Sequence, residues 1–295
     1  ILNHLISKKY REIEYIFLSH PHFDHYSGFP QLLDYCTENN IKIKHFFHTC
    51  RAVYDYIKVA VKTVEAAQKI TYIFKVVKKL SQETELEENY IEANKHIKIP
   101  IQNGVYLEIL SPSSKEVDKY LATESYPFEK EEQHHNNPRS NLLSLILKLS
   151  GKDWYLLLTS DAEKWSLIRL GTKEKHKVKG KLLLGQSSHH GSFHNHNNDF
   201  WRKRERETNT PIFFSAGTNI YNHPHKSVVS FFVNQQYDIY STNRVGGLTS
   251  ISDHGKHVSR LLDLISNKTQ KEKPSKFSGN QTFEINNGNI KYLPV

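Results

Sequence analysis

Short apolar runs alternate along the chain with stretches of helical period, the pattern of strands interleaved with helices in an α/β fold. Apolar positions 1, 2, 5 and 6 make Ile1–Tyr10 the end of a helix. Ile13–Ser19, built around Ile16-Phe17-Leu18, reads as a buried strand. Phe29, Leu32, Leu33 and Cys36 fall at helical spacing and predict a helix across 26–39, closed by Asn39-Asn40. Ile41–Phe47 alternates as the next strand. Over 51–94 the period turns helical: Val53, Ile57, Ala60, Val61 and Val64 mark one amphipathic helix, and Ile73, Val76, Val77 and Leu80 a second. This predicts a solvated helical insertion, with the acidic segment 83–92 turning back over the surface; a lid or a contact with a second copy or a partner protein are its other uses.

Strand signals return at Val105–Leu110, and Ser114–Pro138 reads as a polar loop. In that loop His134 and His135 lack a strand or glycine turn around them and read as surface residues. Asn141–Leu149 and Trp154–Thr159 form a hairpin of nearly continuous apolar strands. Further strands are predicted at Lys181–Leu184, Pro211–Ser215, Tyr237–Ser241 and Leu248–Ile251, then a closing helix at Val258–Ile265. A polar linker leads to a terminal hairpin, Thr282–Ile285 with Ile290–Leu293. The organisation predicted is one domain over 1–266, followed by 267–295 as linker and hairpin.

The chemistry concentrates in Ser19-His20-Pro21-His22-Phe23-Asp24-His25-Tyr26-Ser27-Gly28, where the first buried strand ends. Pro21 cannot continue a ladder. His20 and His22, two apart in an extended loop, point to one side and can share a cation, while Asp24 and His25 can hold a second. Nitrogen and oxygen donors of this kind suit Zn²⁺, with Mn²⁺ or Fe as alternatives. A helix starting at the loop would aim its N-terminal dipole at a bound anion. The chain carries 18 histidines, so a histidine-rich loop without function is the plainer reading. H-x-H-x-D-H directly behind an apolar strand favours the metal.

The spacing resembles the signature of the metallo-β-lactamase-fold hydrolases, and later stretches follow in that family's order. Leu156-Leu157-Leu158-Thr159-Ser160-Asp161 resembles the strand ending in the bridging aspartate. Gly185-Gln186-Ser187-Ser188-His189-His190-Gly191-Ser192 and Gly217-Thr218-Asn219-Ile220-Tyr221-Asn222-His223-Pro224 resemble motifs of the branch typified by the hydrolase domain of the DNA-uptake protein ComEC. Tyr240-Ser241-Thr242 with Gly246-Gly247 resembles the strand pair that follows. The resemblance implies a four-layer αββα sandwich whose first strands are missing here, since that fold opens with several strands before the ligand loop and only 19 residues precede His20. Residue 1 is accordingly expected to lie inside a domain.

By the same resemblance, His20, His22 and one of His189 and His190, with His190 preferred, hold one divalent ion. Asp24, His25 and His223 hold the other, and Asp161 bridges them. Left to itself, Asp161 before Ala162-Glu163 would read as a helix N-cap, and His225 is a local rival to His223. Two such cations lower the pKa of water towards 7 and neutralise the oxygens of a phosphoryl group. Asp24 and His189 are the catalytic candidates, His189 as proton donor to the leaving group. Gly191, Ser192 and Asn219 are the substrate-binding candidates.

Composition sharpens the substrate class. A formal net charge of +9 favours polyanionic partners, nucleic acid above all, although lysine-rich surfaces also serve solubility. Trp201-Arg202-Lys203-Arg204 and His225-Lys226 are the basic stretches near the motifs, the tryptophan offering a base-stacking platform against the plainer reading of an exposed helix face. The expected activity is phosphodiester hydrolysis, by a nuclease. A small-phosphodiester hydrolase resembling phosphorylcholine esterases, lactonase or lactamase chemistry, and a metal-stabilised regulatory subunit are the rivals. Two cysteines, Cys36 and Cys50, are too few for a disulfide framework and point to the cytoplasm. No apolar run reaches the roughly 18 residues of a membrane helix. Methionine is absent throughout.

Overall fold

The structure is a computed structural model that describes residues 2–49, 63–91, 96–102, 104–124, 140–250, 281–286 and 288–293. The chain divides into two compact units, Ile1–His96 with Ser111–Leu145, and Ile97–Leu110 with Ile146–Val295.

The first unit holds α1 (Leu2–Lys8), β1 (Glu12–Leu18), α2 (Phe23–Tyr26), α3 (Phe29–Glu38), β2 (Lys42–His48), α4 (Val64–Glu83), β3 (Glu87–Tyr90) and α5 (Ser114–Glu124). β1, β2 and β3 form a parallel sheet in that order, with Phe17 opposite Phe47 and Phe47 opposite Asn89. Parallel neighbours require crossovers, which α3 and α4 supply. α4 starts where Thr63 caps it, its side chain accepting from the Ala66 amide at 3.2 Å. Its apolar positions 66, 70, 73, 74 and 77 make one stripe, buried in a core with Leu18, Leu33 and Phe46. Each large side chain buried there contributes about 1.5–3 kcal/mol.

Three expectations change in this unit. The second predicted helix over 51–94 exists as α4, but its stripe belongs to the core and is not solvated; residues 50–62, with the first predicted helix, lie outside the described residues. The acidic segment expected to turn over the surface contains β3. Its charges are accommodated at the edge: Glu87 pairs with His45 and Glu88 with His48, both at 3.2 Å, between the buried Leu86 and Ile91. Ser114–Glu124, predicted as loop, is α5; the Glu116 carboxylate accepts from the Ser113 amide, half of a capping box.

The second unit holds β4 (Lys98–Gln102), β5 (Val105–Ser111, whose last residue falls in the first unit), β6 (Ile146–Ser150), β7 (Trp154–Leu158), α6 (Lys164–Gly171), β8 (Lys181–Gln186), α7 (Asn198–Arg202), β9 (Pro211–Phe214), α8 (Lys226–Asn234), β10 (Asp238–Ser241) and the hairpin β11 (Thr282–Asn286) and β12 (Asn289–Leu293). One sheet runs β10-β9-β8-β7-β6-β5-β4. It is parallel from β7 to β10 and antiparallel at β6–β7 and β4–β5. Tyr155, Leu157, Leu182, Ile212 and Phe214 bring its strands into a core shared with α6, α7 and α8. The hairpin docks by aromatic contact: Tyr240 lies 5.0 Å from Phe283 and 4.8 Å from Tyr292, ring to ring. The two units together are a mixed α/β fold.

Trp201 is 0 % exposed, in edge contact with Phe200, Phe232 and Tyr237, so the predicted stacking platform is core. Arg204 spans Phe200 and Val178, donating to both carbonyls, which leaves Arg202 and Lys203 as the exposed cations of that stretch. The strand predicted from Leu248 is instead a 3₁₀ turn, Gly246–Ser250. The predicted helix at Val258–Ile265 lies outside the described residues, as do His134 and His135. Among the described residues no helix is long and apolar enough to cross a membrane.

Candidate metal centre

In the first unit the chain leaves β1 and folds at once into a histidine cluster. The His22 amide donates to the His20 carbonyl at 3.0 Å and the His25 amide to the His22 carbonyl at 2.9 Å, so the loop is wound tightly enough to gather its rings. His20 is fully buried; its Nε2 is 3.0 Å from His22 Nδ1 and its ring centroid 4.1 Å from that of His25. Nitrogens facing each other at this distance share either one proton or one cation. Ser19 Oγ accepts from the Leu145 amide at 3.3 Å and contacts His20 Nδ1 at 3.2 Å, which sets the orientation of that ring. Asp24, in the first turn of α2, presents Oδ2 3.6 Å from His25 Nε2.

In the second unit the ligand candidates sit on three loops at strand ends. Asp161 follows β7 and is 2 % exposed. The N-cap position of α6 belongs to Glu163, so capping does not account for Asp161. Gln186, at the end of β8, braces this loop: its side-chain oxygen accepts from the amides of Thr159 at 3.0 Å and Ser160 at 3.1 Å. Ser160, His189 and His190 all have positive φ, at 46°, 47° and 53°. Backbone held in this sparsely populated region gathers at sites where geometry matters more than stability. The His189 amide closes on the Ser160 carbonyl at 2.9 Å, joining the Asp161 and histidine loops.

Both imidazoles of the pair turn towards Asp161, each with Nε2 3.6 Å from Oδ2. His190 Nδ1 meets the Ser215 carbonyl, which only accepts, so Nδ1 carries the proton and Nε2 presents its lone pair towards Asp161.

His223 arrives on the loop after β9. Asn219 shapes that loop, donating to the carbonyls of Gly217 at 2.8 Å and His223 at 2.9 Å and accepting from the His223 amide at 2.9 Å. That spends its carboxamide inside the loop, so the residue expected to bind substrate serves to position His223. The His223 ring stands 5.6 Å from His189 and is stacked on Tyr221 at 5.9 Å. Burial, and then the charges of His189 and His190, push its pKa down to about 4. Its Nδ1 is buried with no hydrogen-bond partner among the described residues. A neutral imidazole with an orphaned nitrogen, beside a buried carboxylate, fits a metal ligand. His225, the local rival, is exposed and caps α8, its Nδ1 accepting from the Ser227 amide.

Gly191 has a different role from the one expected. A Cβ there would lie 2.4 Å from Pro224 Cβ and 2.7 Å from Phe214 Cε1, and φ is +86°. The missing side chain is needed for packing of the His190 loop against the His223 loop. The His225 amide donates to the Gly191 carbonyl at 2.9 Å, tying the same two loops. Ser192 is 3 % exposed and has little surface to offer a phosphate. Gly246 and Gly247 press on His223, Pro224 and Lys226, where a Cβ would come within 2.6–2.7 Å of backbone. Sequence reasoning missed Gln186, Ser215 and this glycine support, because none carries a metal-ligand side chain. Among the described residues, the donors that could serve a metal ion are His20, His22, Asp24 and His25 in the first unit and Asp161 and His190 in the second.

A family model of the metallo-beta-lactamase superfamily matches residues 4–87, from α1 to the start of β3 and including the whole H-x-H-x-D-H loop. Its members are usually metal-dependent hydrolases, and the match, less than a third of the chain, points to that class. No curated protein matches the chain.

Proposed function

We propose that the chain is a metal-dependent phosphodiester hydrolase of the ComEC-like branch, with nucleic acid as its substrate class. The observation that carries the reading is the H-x-H-x-D-H loop, packed into a histidine cluster at a strand end within the family-matched stretch. In this reading His20, His22 and His190 would hold one divalent ion and Asp24, His25 and His223 a second, with Asp161 serving both, and the nitrogen-rich donor set would prefer Zn²⁺ over Mn²⁺. When bound, the ions supply an activated water at neutral pH and charge neutralisation at phosphorus.

The chain's own residues do the rest. Ser19 and the Ser215 carbonyl hold His20 and His190 in their ligating orientation. His189, whose Nε2 faces Asp161 at 3.6 Å, would give a proton to the leaving alkoxide. The hydrolase domain is read as residues 1–266, and a cytoplasmic setting is the reading that two cysteines in 295 residues favour.

Net charge of +9 favours nucleic acid. A small phosphodiester is the second reading, favoured by the burial of Trp201, which removes one base-stacking surface. The test is turnover of an oligonucleotide, a dye phosphodiester, a lactone and a β-lactam by the native chain and Asp161→Asn. Cleavage of both phosphodiesters, sensitive to chelation and lost in the variant, is expected. Turnover of lactone or lactam alone would refute the proposal; dye cleavage without oligonucleotide cleavage selects the small-phosphodiester reading.

A further inference from the structure

The second unit exposes four large aromatic side chains among its described residues: Tyr106, Trp165, Phe193 and Tyr221. Tyr106 has a partner, since Lys98 Nζ lies 4.1 Å from its ring centroid. The other three each fall within four residues of a candidate ligand: Trp165 after Asp161, Phe193 after His190 and Tyr221 before His223. Phe193 is 56 % exposed and Tyr221 71 %, a large amount of ring surface for two neighbouring loops to leave in water.

Their contacts tie them to the ligand set. Phe193 follows Ser192, whose amide donates to the His189 carbonyl at 2.8 Å, and its ring lies 5.3 Å from His225. Tyr221 stacks on His223 at an interplanar angle of 23°. Each ring thus has an edge or face fixed by a histidine of the ligand loops and the remainder open.

We propose that Phe193 and Tyr221 form an aromatic rim on the ligand loops of the second unit that stacks the base of a nucleotide whose phosphate those loops receive. The inference rests on the phosphodiesterase reading and narrows its substrate to nucleotidyl esters. Two features favour a nucleobase over an aliphatic group. Planar rings set against imidazoles, Phe193 tilted at 47° and Tyr221 stacked at 23°, present flat surfaces, which suit stacking, and stacking tolerates any base. The net charge of +9 favours the phosphate-bearing ligand as a whole.

The test is calorimetric titration of the full chain, in zinc-containing buffer, with thymidine 5′-monophosphate and with 2-deoxyribose 5-phosphate, which lacks only the base. The native chain should bind the nucleotide more tightly by about 5- to 150-fold, the range a single base stack supplies. That ratio should fall towards one in Phe193→Ala and Tyr221→Ala and persist in Phe193→Trp. Metal content of Tyr221→Ala should match the native chain, which separates stacking on a base from support of His223. Equal affinities for the two ligands, no binding of either, or a preference that survives both alanine variants would overturn the inference. Dye-phosphodiester turnover in the same preparations keeps the two claims apart. Turnover without base preference removes the rim alone, whereas base preference without turnover removes the hydrolase reading and leaves the rim.

Discussion

Replacing Gly191 by alanine puts a methyl carbon where the structure has no room for one. The added Cβ would sit 2.4 Å from Pro224 Cβ and 2.7 Å from Phe214 Cε1, well inside van der Waals contact, on a residue with φ of +86°. Positive φ costs an L side chain roughly 1–2 kcal/mol, and forcing a methyl into a packed region roughly 1–3 kcal/mol more. The variant should therefore lose about 2–5 kcal/mol, unless the loops part, in which case the cost appears as displaced ligands. Pro224 follows His223 and Gly191 follows His190, so relief of the clash moves one or both histidines. Urea unfolding monitored by circular dichroism, with metal content on the same samples, reads both results. Gly217→Ala is the control, since nothing lies within 4 Å of its Cβ position, and it should stay within about 0.5 kcal/mol of native. A Gly191→Ala protein as stable as that control, with native metal content, would show that the two loops are not packed as described.

Trp201→Ala should destabilise by about 3–5 kcal/mol, as removal of a fully buried indole does, and lower nucleotide binding only in proportion to unfolding; selective loss of binding in a stable variant would return Trp201 to the ligand surface. His196 has its pKa lowered to about 4, by burial first, with the neighbouring Asn198 opposing the shift and the Lys164 charge adding to it. The folded pKa lies below the unfolded value near 6.5, so its contribution is complete above about pH 6.5 and is lost as pH falls towards 4, at up to about 1.4 kcal/mol per pH unit and about 3 kcal/mol in all. The stability difference between native protein and His196→Leu should shift towards the variant across that window, and a pH-independent difference would contradict the burial argument.

The strands that end at candidate ligands are legible because apolar runs stop at polar residues with no packing reason to be there: Leu18 before His20, Leu158 before Asp161, Phe214 before the His223 loop. Polar elements were not. β3 reads Glu-Glu-Asn-Tyr and becomes a strand because His45 and His48 receive its carboxylates, a partnership between distant positions. α5 carried a local signal, Ser113 with Glu116, which the surrounding polar composition obscured. Trp201 was misplaced because a tryptophan next to Arg202 and Lys203 looks amphipathic, whereas the one-residue step on a helix turns the indole inward. Within the site, candidate donor types are readable from spacing; what braces them is not. Gln186, the Ser215 carbonyl and the Asn219 clamp act through backbone, and backbone partners leave no residue signature.

Metal ligation by these histidines and aspartates is what the proposed hydrolysis depends on. Equilibrium dialysis of the native chain and Asp161→Asn against Zn²⁺, with metal quantified per chain and dye-phosphodiester turnover measured on the dialysed protein, addresses it most directly. Two ions per native chain are expected, with turnover that disappears on chelation and returns with metal, and with both bound metal and turnover lost in the variant. Native protein that retains no divalent ion, or an Asp161→Asn chain with full metal and full turnover, would contradict it.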